Sequence, residues 1–263
     1  DNRTDSSSLT PIDVVSAKVL HQPGTSELST ALARIIPSRK SARPAAADSA
    51  DTQRPAQLRG LSPDEVLVLV NGKRWHPGAI LLNNGVIGRG SQPVDLNTIP
   101  MSAIDHIEVL RDGASAQYGS DAIAGVINII LKQGASGGDV QVSGGQYSAG
   151  DGRQWQGSAN FGIPLGGDKG WLRFALQSGK QDHTNRAGPD NRPGFPQLGV
   201  NFRQGDPDVH DNNLLLNAQY DVTPDVQLYS FGHYGRRQST SPAFFRYGTN
   251  SPKPNNALIG QVY

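Results

Sequence analysis

Apolar and polar positions alternate with period two in three stretches of the second half of this chain. Trp155, Gly157, Ala159, Phe161 and Ile163 alternate with Gln156, Ser158, Asn160 and Gly162. Leu172, Phe174 and Leu176 alternate with Arg173, Ala175 and Gln177, and Leu214, Leu216, Ala218, Tyr220 and Val222 with Leu215, Asn217, Gln219 and Asp221. This period predicts strands over 153–163, 170–181 and 213–222, each with one apolar and one polar or small face. A barrel wall with a wet lumen and a soluble sandwich both alternate this way. Connection lengths separate the two. Gly166 to Asp168 and Thr223 to Asp225 make short turns, whereas residues 182–212 and the segment from Gln238 onward make long polar connections. Short turns at one end and long loops at the other are the habit of outer-membrane barrels. The short turns are therefore expected on the periplasmic side and 182–212 outside.

The first half follows other periods. Residues 12–16 read as a strand. Ser26 to Ile36 form an amphipathic helix with Leu28, Leu32, Ile35 and Ile36 on one stripe, ended by Pro37. Gln57 to Gly60 is short and extended, and Glu65 to Val70 is a nearly continuous apolar run, as in a strand buried on both faces. Asn71 and Gly72 signal a tight turn. Residues 95–132 mix three periods. Ile99 precedes Pro100 and is held extended. Ser102 caps a helical turn, and residues 106–111 alternate as a strand. Asp112 and Gly113 break it, Ser115 to Tyr118 make another turn, and Ala122 to Lys132 form a buried strand rich in Ile and Val. Such a stretch offers almost nothing for bond-making chemistry and points to a mechanical or gating role.

Aromatic residues divide the chain. Residues 1–137 contain two, Trp75 and Tyr118, and 138–263 contain the other fifteen. The shift places a boundary near Gly134 to Gly138, a composition typical of flexible linkers. The formal charge of +1 gives no basic excess for binding nucleic acid. With no cysteine there is neither a disulfide framework nor a thiolate metal site. No stretch approaches the ~20 apolar residues of a spanning helix, and no signal peptide stands at Asp1.

The motifs of residues 99–130 carry a resemblance. Ile99–Pro100, then Ile107 to Arg111, Gly113 to Ser115, Tyr118–Gly119 and Gly125 to Ile130 follow the order found in the plug domain of TonB-dependent outer-membrane receptors. Arg59 to Leu61 and Val66 to Arg74 match the same family upstream, so the resemblance covers about Pro11 to Lys132. Asp112 and Gly113 stand where many members have Gly-Pro. The resemblance implies an α+β plug domain followed by antiparallel β-strands of a transmembrane β-barrel. That barrel is 22-stranded in the family, and only five or six strands are present here if each takes ~9–11 residues. Five strands cannot close, so the chain is expected to be one piece of a transporter. The expected division is a disordered 1–10, a plug over 11–137 and the first part of the barrel over 138–263.

The resemblance also implies function and partners. It predicts a non-enzymatic receptor of the bacterial outer membrane that takes up a scarce solute, such as a ferric siderophore, by energy-coupled plug rearrangement. The plug would face the periplasm and the lumen. The partners are TonB with its inner-membrane motor, through an N-terminal segment not evident in the ten residues before Pro11, a small-molecule or metal-complex ligand, and outer-membrane lipid. No nucleic acid, metal or cofactor is expected, and the full-length transporter would be a monomer. A plug-like binding or signalling module without transport is the alternative. The expected ligand contacts, on plug apex loops, are Arg39, Arg74, Trp75, His76, Gln117 and Tyr118. The basic loop 38–59 suits an anionic ligand, although a solvated loop explains it as well. Arg59, Glu108 and Arg111 are expected to latch the plug to barrel carboxylates. The acidic cluster Asp206, Asp208, His210 and Asp211 fits no calcium loop and reads as solvated.

Overall fold

The computed structural model describes residues 12–25, 27–41, 50–83, 87–111, 115–189 and 203–242. The expectations for 1–10, Ser26, Asp112 and Gly113 lie outside them. The first half builds a five-stranded mixed sheet in the order β1-β6-β7-β4-β5. Its strands are β1 (Ile12–Ser16), β4 (Val66–Val70), β5 (Lys73–Arg74), β6 (Ile104–Leu110) and β7 (Gly125–Leu131). A small ribbon pairs β2 (Arg39–Ser41) with β3 (Ala56–Leu58). The helices are α1 (Ala17–His21), α2 (Leu28–Ile35), α3 (Ala50–Gln53) and α4 (Ser115–Tyr118).

The apolar run of β4 is buried at all five positions because it is central and covered on both faces. Val66, Val68 and Val70 join the main core with Leu28, Leu32 and Ile107. Leu67 and Leu69 turn the other way, onto Ala122, Val126 and the half-buried Tyr118. β4 runs parallel to β7 and is linked to β5 by a two-residue turn, with Asn71 at φ 49 and Gly72 at φ 74. Positive φ at both positions is the turn that matches strand twist. Several boundaries moved: β3 spans Ala56–Leu58, and β7 opens at Gly125 behind a 3₁₀ turn at Ser120–Ala122. α2 starts at Leu28, behind Glu27. The turn at 101–103 is 3₁₀ with Pro100, not Ser102, at its cap, and Ser102 is buried within it. β6 begins at Ile104, ahead of His106, across an irregularity in its register with β7.

The second half is an antiparallel meander in the order β12-β11-β10-β9-β8. Its strands are β8 (Gly138–Gly145), β9 (Gln154–Leu165), β10 (Gly170–Gln181), β11 (Asp208–Thr223) and β12 (Val226–Thr240). The long connection after β10 is shorter than expected, because β11 begins at Asp208 and reaches five residues further than the alternation alone indicated. The parity read from the sequence sorts the two faces. Asn160, Arg173, Ala175, Gln177, Asn213, Leu215 and Asn217 are buried against the first sheet. On the opposite face Val140, Val142, Phe161, Ile163, Leu176, Leu228 and Tyr234 are exposed, Val140 to 79%. This apolar face lies open beside the polar face that meets the first sheet. Ala175 and Leu215 extend the main core across from the wall, so the two sheets share it.

Gly125 opens β7 at φ 136, where a Cβ would crowd the Leu110 carbonyl oxygen and meet Leu58 Cδ2 at 2.7 Å. Gly125→Ala is expected to destabilise the first sheet by about 1–3 kcal/mol, measured as a lowered guanidinium midpoint of the purified full-length receptor.

Candidate functional site

The six expected ligand contacts fall into three settings. Arg39 is 2% exposed. Its Nη1 donates to the Ser29 carbonyl at 2.5 Å and its Nη2 to Ser29 Oγ at 3.2 Å, bracing α2 against β2. Burial pushes this guanidinium down to about 9. Its side chain is spent on the fold; a basic run such as Arg39–Lys40 cannot reveal from spacing which member turns inward. Trp75 is also buried, stacked between His76 at 5.0 Å and Phe231 of the wall at 6.2 Å, with His233 at 5.7 Å. Arg74, Gln117 and Tyr118 come together at one loop. Arg74 pairs with Asp121 and donates to the Tyr118 carbonyl at 3.3 Å. Gln117 and His76 are exposed, and Tyr118 is half-buried.

The three latch candidates find partners inside the first sheet. Arg111 Nη2 donates to Asp13 Oδ1 at 2.5 Å, tying β6 to β1. Arg59 Nη1 donates to the Arg111 carbonyl at 2.7 Å. Glu108 Oε2 accepts from Asn128 Nδ2 at 2.8 Å, and its carboxylate lies 3.7 Å from His106 Nε2. They hold β1, β6 and β7 in register.

The contacts between sheet and wall use other residues. Near the end of the wall that carries the long loops, Arg237 of β12 pairs with Asp95 and donates to the Thr52 carbonyl at 3.4 Å. Ser241 donates to Asp51 Oδ1 at 2.9 Å. Asp95 also caps the 3₁₀ turn at 96–98, accepting from the Asn97 N–H at 3.0 Å. Burial pushes the Asp95 carboxyl up while Arg237 draws it back down. Asp51 is likewise raised by burial. Lower on the wall, Asn217 Nδ2 donates to the Lys132 carbonyl at 3.0 Å. Arg173 donates to the carbonyls of Gln133, Gly134, Ser136 and Gly137 at 2.9–3.3 Å and to Asn160 Oδ1. The connection that reads as a flexible linker is therefore bound to the wall along its length. The sequence carried one missed signal for this seam. Arg173 and Arg237 occupy inward positions of their strands, where a charge must meet a partner on the first sheet.

Comparison with known proteins places this arrangement. The model of the TonB-dependent Receptor Plug Domain matches residues 4–126. A vitamin B12 transporter of Photobacterium profundum is 30% identical over 180 residues, covering 67% of this chain and 25% of the relative. The ferric enterobactin receptor of Pseudomonas aeruginosa is 29% identical over 123 residues, covering 46% of this chain and 16% of the relative. The chain thus spans a quarter or less of the length of these two relatives. A solved structure of the P. aeruginosa ferric enterobactin receptor aligns with a TM-score of 0.71 at 22% identity, over 89% of this chain and 34% of the other, a likeness of fold.

Removing one partner of the partly buried Arg237–Asp95 pair is expected to cost about 1–3 kcal/mol. In Arg237→Met the Asp95 carboxyl stands further above its unfolded value. Such a group contributes stability below the unfolded carboxylate pKa and loses it as pH rises through the folded one. The deficit of Arg237→Met should therefore be large at neutral pH and shrink as pH falls toward the ordinary aspartate range. Arg237→Met combined with Asp95→Asn should recover most of it. Guanidinium unfolding of the detergent-solubilised receptor across pH checks all three outcomes.

Proposed function

The chain belongs to the TonB-dependent receptor family, and we propose that it forms the plug and the first barrel strands of an outer-membrane receptor that takes up a scarce solute. In this reading 11–137 are the plug and 138–263 the start of the barrel. The observation that carries it is the two-faced meander. Its polar face is seated on the first sheet, and its apolar face is bare. A wall of that kind suits lipid outside and a plugged lumen inside.

The mechanism is energy-coupled rearrangement of the plug. TonB and its inner-membrane motor would draw on the segment ahead of β1, and the load would reach the sheet through the β1–β6 ladder and the Asp13–Arg111 pair. The named relatives support a corrinoid or a ferric siderophore as the solute class. The exposed residues Arg74, His76 and Gln117, with Tyr118 beside them, are the proposed ligand contacts. Arg39 and Trp75, both buried, have structural roles in this reading.

The test is a binding panel of ferric siderophores and corrinoids on the purified full-length receptor, followed by uptake in cells. Tyr118→Ala and Gln117→Ala are expected to weaken binding of the recognised solute about 5–30-fold, or about 1–2 kcal/mol. Loss of the inner-membrane motor should leave binding intact and abolish uptake. Uptake that survives loss of the motor would overturn energy coupling.

A further inference from the structure

A charged cavity of about 60 Å³ lies in the seam, near the end of the wall that carries the long loops, with room for a few water molecules. Glu27, Asp51 and Arg54 line it from the plug, and Lys180, Asp211 and Arg237 from the wall. Its charges do not cancel. Arg54 Nε donates to Glu27 Oε1 at 2.8 Å, and Arg237 is paired with Asp95. Lys180 turns to Asp182 at 3.0 Å, and the buried Arg39 is spent on Ser29 of α2. His210 sits next to Asp211 on β11 but is exposed. Asp51 and Asp211 are thus left without a cation of their own. Asp51 is 2% exposed; its Oδ1 accepts from Ser241 Oγ at 2.9 Å, and its buried Oδ2 has no hydrogen-bond partner. Among the described residues the Asp211 side chain accepts only long bonds, from the amides of Gln177 and Asn213 at 3.4 Å.

We propose that the closed seam holds a proton on the Asp51 and Asp211 carboxyl groups, taken up from water as plug and wall meet and returned to water as they part. Two carboxylates without counter-charge in one secluded cavity are disfavoured twice, by lost hydration and by mutual repulsion. A neutral carboxyl carries its own O–H donor, which gives Asp51 Oδ2 a bond to make toward a carboxylate or a water of the cavity. Burial raises the Asp51 carboxyl, and the pull of Arg54 does not offset it. A metal ion fits less well, because two guanidiniums share the cavity and no three metal-ligating side chains gather among the described residues. The closed seam then binds more protons than the parted one. By linkage, closure is favoured in acid and loses ground as pH rises above the ordinary aspartate range, through the raised value of the closed state. The proposal rests on the plug-and-barrel reading above and on no particular solute.

Infrared spectroscopy of the detergent-solubilised full-length receptor detects the proton directly, since a neutral carboxyl has a carbonyl band that a carboxylate lacks. The band should be present at neutral pH and disappear reversibly as pH is raised. Asp51→Asn and Asp211→Asn should each remove the same component of it, equal to one carboxyl group. Asp64→Asn, at an exposed plug carboxylate, should leave it unchanged. Migration as a folded barrel in unheated gels selects the usable variants. This chain contains no cysteine, so nitroxides at Thr25→Cys and Ser143→Cys, on either side of the neighbouring cavity, report parting of the seam in urea. The ratio of closed to parted receptor should fall up to about 10-fold per pH unit, the slope of a single proton. In either Asn variant the slope should drop to about half or less, and exchanging sodium for choline should change nothing. A neutral-carboxyl band that is absent, or that survives both variants, overturns the proposal. A ratio that follows sodium and not pH overturns the proton in favour of a metal ion. Labels that separate only when the barrel itself unfolds overturn the plug reading on which the proposal rests.

Discussion

The guanidinium of Arg173 fixes the place where the two sheets meet. It is 6% exposed and has no carboxylate among its bonds. Its charge is met by four backbone carbonyls of residues 133–137 and by Asn160 Oδ1. A buried charge is tolerated only when its donors are used, so the connection is held in the one shape that turns its carbonyls toward β10. Gly134 at φ 85 and Gly137 at φ 78 make that shape possible. Glycine here supplies curvature around a cation. The composition that signals mobility in an isolated segment signals a tight cup when an inward arginine stands opposite.

From this junction the rest of the arrangement follows. The wall's inward face is polar by parity, and buried polar groups need partners. The first sheet supplies them at Lys132, Asn71, Asp95, Thr52 and Asp51. Ala175 and Leu215 interrupt the polar rows where the shared core crosses from sheet to wall. The outward face has no protein partner among the described residues and is apolar, which is the reverse of a water-soluble meander.

Local periodicity made the elements legible. β4, β7 and the wall strands were readable because their burial repeats with the pleat, and α4 because glycine closes it. Pairing of charges was not, because it is decided by contacts far apart in sequence. Arg111 finds Asp13 across 98 residues and Arg237 finds Asp95 across 142. The latch expected at Arg59, Glu108 and Arg111 and the contact observed at Arg237 draw on the same residue chemistry, and only the sheet order distinguishes them. Trp75 likewise looks like a binding aromatic in a loop until β12 is placed beside it.

The two kinds of contact differ in how they yield. The first sheet is held by a continuous apolar core, whose loss is spread over many side chains. The seam is held by polar and aromatic contacts and by the smaller part of that core that Ala175 and Leu215 carry across it, and it leaves Asp51 Oδ2, Arg54 Nη1 and Arg237 Nε without hydrogen-bond partners. A half-satisfied polar network is less favourable than either a complete one or an apolar core. Water can satisfy those groups as soon as the seam parts, so separation recovers part of what it breaks. In the proposed mechanism, a load transmitted through β1 would meet a sheet that resists before a seam whose exposed polar groups water can satisfy.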